Sequence, residues 1–127
     1  MIIQLHMFPP VQEQALMDTI RQSGHAVSAW SSFQPRKQPK KVPDVVIMGE
    51  RYTSIALMQS IKNRYPNALL LMICSPERLL VTTQFFTDAG VDIFHAITMS
   101  KESITDLLLR IEARLVTSEH SLGSHVQ

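Results

Sequence analysis

Four apolar residues in a row, Val45-Val46-Ile47-Met48, lie between Pro43-Asp44 and Gly49. An unbroken apolar run of this length, entered from a turn and closed by glycine, reads as a strand covered on both faces, the signature of a central strand in a parallel sheet. A second such run, LLLMIC at residues 69–74, follows twenty residues later. In an open α/β sheet the chemistry sits beyond the carboxyl ends of the strands, so the residue leaving the first run is where a functional side chain is expected. That residue is Gly49, which has no side chain to donate, accept, ligate or attack.

The rest of the chain supplies partners for these two strands. Residues 2–7 form a first strand, and Phe8-Pro9-Pro10 breaks it where a helix can begin with proline in its first turn. Residues 11–23 carry Leu16 and Ile20 at helical spacing and stop at Gly24. Residues 25–32 form a weaker second strand. Residues 33–42 contain Pro35 and Pro39, so the helix that a crossover would place there is shortened or absent. Ile55, Leu57, Met58, Ile61 and Tyr65 mark one face of a helix that ends at Pro66. Ser75-Pro76-Glu77 opens another helix, reaching Asp88 before Ala89-Gly90. A short strand over residues 91–97 and a final helix from Ser100, with Ile104, Leu108, Ile111 and Leu115 on one face, complete the series. Five strand signals alternating with helices predict a doubly wound, flavodoxin-like α/β domain with a parallel sheet in the order 2-1-3-4-5. The domain is expected over residues 1–116, and the polar stretch 117–127 is expected to be a flexible tail or the start of a linker.

Composition narrows the function class. Twelve basic and eleven acidic residues among 127 leave a net charge near +1, so no global field calls for nucleic acid or a membrane. One cysteine, Cys74, excludes an internal disulfide framework and fits a reducing, cytoplasmic compartment. The longest apolar run, residues 68–74, is far shorter than the roughly 20 residues of a membrane span.

In PDVVIMG, in the spacing of the helix over residues 53–65 before Pro66 and LLLMIC, and in DAGVDIFHAI at residues 88–97, the chain resembles the receiver (CheY-like) domain of bacterial response regulators over residues 2–115. The resemblance implies a phosphorylation site at the strand ends. Its magnesium-holding acidic pair falls on His6 and Met7, its phospho-acceptor aspartate on Gly49, its hydroxyl on Cys74 and its lysine on Ile97, so all five positions are replaced. A hard, oxygen-seeking ion finds no carboxylate in that set, there is no nucleophile, and no lysine balances phosphoryl charge. Glu50 is one residue late, and strand alternation is expected to aim it elsewhere. The implied protein is a pseudo-receiver, not an enzyme and without cofactor, working in bacterial signalling by contact.

Three groups remain to be weighed. His6, Cys74 and His95 could meet at the strand ends, yet no paired ligand motif supports a metal, no third group orients a Cys74–His6 nucleophile, and His95 is expected to point into the core. Arg36, Lys37, Lys40 and Lys41 could bind an acidic partner or phosphates weakly, but a solvated loop explains them better. In the helix of residues 77–88, Phe86 and Ala89 should face the sheet, leaving Val81 and Phe85 outward. With Phe94, Leu107 and Leu109 they form a candidate face for a homodimer or a protein partner, unless the helix is turned to bury its phenylalanines. A regulatory fragment of a DNA-binding transcription regulator is the alternative, nucleic acid then being met through a missing output domain. A small-molecule or enzymatic flavodoxin-like domain is a remoter one, because Met7-Phe8-Pro9-Pro10 lacks the backbone donors of a phosphate loop.

Overall fold

The structure is a computed structural model that describes residues 1–6, 8–30, 42–50, 53–98 and 100–126, the side chains of residues 30 and 117–126 excepted. Strands β1 (Ile2–His6), β2 (Ala26–Trp30), β3 (Val45–Gly49), β4 (Leu69–Cys74) and β5 (Ile93–Ala96) form one sheet in the order β2-β1-β3-β4-β5. Every pairing is parallel. The predicted fold class and strand order are those observed. The basic stretch Arg36, Lys37, Lys40 and Lys41, and the question of a shortened helix before β3, lie outside the described residues, as does Met7.

Register is set partly by acids at strand entrances. Asp44 Oδ2 accepts the Ile2 amide at 2.8 Å, tying the start of β3 to β1, and Asp92 Oδ2 accepts the Leu70 amide at 2.7 Å, tying the start of β5 to β4. Each carboxylate caps a donor at the sheet margin, where a one-residue slip would reverse every side chain.

Helices cover both faces. α1 (Pro10–Gln22) starts with proline at its first position and stops at Gly24, whose φ of +88° suits a residue without Cβ. α2 (Ile55–Arg64) is capped by Ser54, whose hydroxyl accepts the Leu57 amide at 3.1 Å. A single 3₁₀ turn, Pro76–Arg78, leads into α3 (Leu79–Phe85), and α4 (Lys101–Val126) closes the domain. α1 and α4 pack on one face, where Ile3, Leu5, Ile47 and Leu71 meet Leu16, Ile20, Ile104 and Leu108. The other face, Val46, Met48, Leu70 and Met72, is covered by Met58 and Ile61 of α2 and by Phe86 and Ala89 after α3.

Three expectations are corrected. The stretch 117–126 continues α4 as helix, because no proline interrupts it and each further residue costs only its propensity once a helix is nucleated. The helix expected to reach Asp88 stops as regular α-helix at Phe85. Leu107, expected on an interaction face, is 1% exposed in the core with its neighbour Leu108, whereas Leu109 is 59% exposed. Two consecutive helical positions face inward because α4 lies broadly across the sheet, and a two-residue step turns the third outward. Accordingly, Leu107→Ala should cost about 2–5 kcal/mol in urea unfolding, and Leu109→Ala should stay within about 0.5 kcal/mol of the parent protein.

Candidate functional site

The carboxyl ends of the strands open into a cleft of about 520 Å3. Gly49 from β3, Cys74 from β4 and Ile97 after β5 all line it, with Phe8 and Pro9 on the α1 side and Glu50, Glu77 and Arg78 contributing charge. Three of the five positions implied for a phosphorylation site are thus brought together. His6 is not among them. Its side chain turns to the opposite side of the strand, under α2, where it shares a small recess with Gln4, Ser60, Arg64 and Tyr65.

Residues two apart on a strand share a face, and the His6 ring donates from Nε2 to Gln4 Oε1 at 2.5 Å. Burial, reinforced by the positive charge of Arg64, pushes the imidazole down to about 4, so His6 is neutral at physiological pH. Neither its place nor its charge state bears on the cleft.

Cys74 is buried, and its thiol approaches the carbonyl of His95 at 3.8 Å. Burial raises its pKa, which keeps it as a thiol with little nucleophilic character. His95, expected in the core, is half-buried and faces α4 beside Asp106 and Arg110, its pKa lowered first by burial and then by Arg110. His6, Cys74 and His95 therefore lie in three different surroundings. Among the described residues there is no group of three or more His, Cys, Asp or Glu side chains placed to hold a metal ion.

The expectation that Glu50 aims away from the strand ends is overturned. The chain leaves extended geometry at Glu50, so alternation no longer governs where its side chain goes, and its carboxylate lies at the rim of the cleft. Arg78 donates from Nε to Oε1 at 2.7 Å and from Nη2 to Oε2 at 3.4 Å, and the Thr82 hydroxyl donates to Oε2 at 2.9 Å. The hydrogen bond from Arg78 and the charge of Glu50 raise the pKa of the guanidinium. Sequence reasoning missed this arrangement. Its one legible signal was a hydroxyl and a cation at positions 82 and 78, four residues apart on the connection leaving β4, facing an acid beside the β3 exit.

The candidate interaction face divides. Val81 and Phe85 are 53% and 64% exposed, and Leu80 is exposed beside them. Phe94 is partly buried against the α2-side core, and Leu107 is interior. Phe85 stands edge-on to Phe86, ring centroids 4.7 Å apart, with Phe86 inside and Phe85 outside. The apolar strip is thus carried on α3, and Leu109 is separately exposed on α4.

No family model and no curated protein sequence matches the chain. Solved structures do. NtrX from Brucella abortus superposes with a TM-score of 0.73 at 16% identity over 94% of this chain. The chemotaxis response regulator CheY4 of Vibrio cholerae gives 0.67 at 18% identity, covering 87% of this chain and 97% of its own. A response regulator from Thermotoga maritima gives 0.60 at 14% identity, covering 88% and 94%. The fold is CheY-like. The chain spans 28% of the NtrX chain it matches. No helix among the described residues is long and apolar enough to cross a membrane.

The depressed His6 pKa has a consequence for stability. The unfolded chain takes up the proton near 6.5 while the folded state resists until about 4, so stability contributed at neutral pH is lost as pH falls through that window, by up to about 1.4 kcal/mol per pH unit. Chemical denaturation between pH 7 and 4 should show this slope. His6→Leu should flatten it by about 1 kcal/mol per unit; parallel curves would show that the ring titrates normally in the folded protein.

Proposed function

We propose that this CheY-like domain is a non-enzymatic signalling module, a pseudo-receiver that acts by protein contact and accepts no phosphoryl group. One observation carries the reading: Gly49 occupies the exit of β3, and the neighbouring carboxylate of Glu50 is engaged by Arg78 and Thr82. A phosphoryl acceptor needs a carboxylate with an oxygen available for attack and a divalent ion beside it. The cleft offers Cys74 as a protonated thiol and an aliphatic side chain at Ile97 in the places where a hydroxyl and a lysine would act.

Contact is the remaining means of signalling, and α3 supplies the surface. Val81 and Phe85 are large, apolar and outward, with Leu80 beside them. Apolar side chains grouped in this way stabilise an interface once covered. Self-association through this strip is the simplest use, and docking on a regulatory partner is the variant of it. A second reading, a regulatory segment of a longer protein, is favoured by the share of the NtrX chain that is matched.

Two measurements test the proposal. Beryllofluoride with magnesium should leave the amide spectrum unchanged; a stoichiometric, magnesium-dependent set of shifts around residues 49, 74 and 97 would refute the degenerate site. Phe85→Glu should weaken self-association by tenfold or more in sedimentation velocity without altering the unfolding midpoint. Unchanged sedimentation together with lost stability would make Phe85 a packing residue.

A further inference from the structure

α3 is weakly embedded. Thr82 is the one buried residue among its seven, and Leu80, Val81 and Phe85 face solvent. Fewer than two turns of helix carry little stability of their own, so its position depends on what grips its inner edge. Past its C-terminus, Phe86 and Ala89 are anchored in the core over the α2 face. At the opposite end the grip is Glu50, which takes two hydrogen bonds from Arg78, immediately before the helix, and one from Thr82, a turn inside it.

We propose that Glu50 is a positioning residue that clasps α3 to the exit of β3 and holds the strip of Leu80, Val81 and Phe85 in one fixed presentation. The use of that strip for docking rests on the function proposed above; the clasp itself does not. The two halves of the grip are unequal. The Arg78 side chain is 54% exposed, and an ion pair so open to water contributes little by itself. Thr82 is 1% exposed and the Glu50 side chain 13%, so the hydroxyl–carboxylate bond is shielded, and a charged acceptor makes it stronger than a neutral one would. Arg78 orients the carboxylate, and Thr82 transmits the grip to the helix.

Because the anion is a side chain of the domain, the grip does not come and go with a bound or transferred group. The strip on α3 is presented continuously. Regulation of contact would then come from the abundance or state of the partner, with α3 as a fixed surface.

Hydrogen–deuterium exchange on the full chain tests this without any partner. In Glu50→Ala and in Thr82→Val, amides of residues 79–86 should exchange at least tenfold faster while those of β1, β3 and β4 keep their protection. The double variant should exchange no faster than Glu50→Ala, which already removes the acceptor of the Thr82 bond together with the Arg78 pair, and Thr82→Ser should restore the parent rate. Unchanged α3 exchange in either single variant would overturn the clasp, as would acceleration shared equally by the sheet, which would mark general destabilisation. The two proposals fail separately. Loosened α3 with Phe85→Glu still associating would remove the docking role and keep the clasp; unaltered α3 exchange with lost association would do the reverse.

Discussion

A parallel sheet must return the chain to the same edge after every strand, and the returning helices cover both faces. The interior strands β1, β3 and β4 are consequently buried above and below, and the side chains that line them have to be apolar or internally bonded. Only the strand ends remain open to a ligand or a reacting group. Everything distinctive in this molecule follows from how that one open rim is furnished.

The rim has the geometry of a site. Gly49 supplies no group, Ile97 supplies hydrocarbon, and Cys74 supplies a thiol that burial holds protonated. Of the two acids that line the rim among the described residues, Glu50 and Glu77, the first is turned inward to structure. Its carboxylate joins two elements more than 25 residues apart in sequence, since Arg78 lies 28 positions on and Thr82 lies 32. A carboxylate beside the β3 exit serves as a mechanical tie, which links the furnishing of the rim to the display of apolar surface on α3.

The sequence made the fold legible because its evidence was local and repeated. Val45 to Met48 and Leu69 to Cys74 are continuous apolar runs, the helices carry caps and periodic faces, and alternation of the two leaves few topologies. The site was legible where it depended on identity alone, as at Gly49. It was misread where it depended on direction. Glu50 was expected to follow strand alternation, but the strand had already ended; Leu107 was expected outside, but α4 buries two adjacent positions against a wide sheet face. His6 was grouped with the strand-end residues by its position, although its side of the strand places it under α2 beside Gln4.

What the sequence determined by itself is the class of fold and the absence of a carboxylate, a hydroxyl and a lysine from particular positions, since residue type and hydrophobic period are properties of the chain. What only the tertiary structure decided is which side chains meet. Arg78, Thr82 and Glu50 are brought together by the parallel pairing of β3 with β4, and Phe85 is separated from Phe86 by the rotation of a short helix about its axis. Such meetings depend on distances across the sheet and angles about helix axes, and neither is encoded in any local stretch of residues.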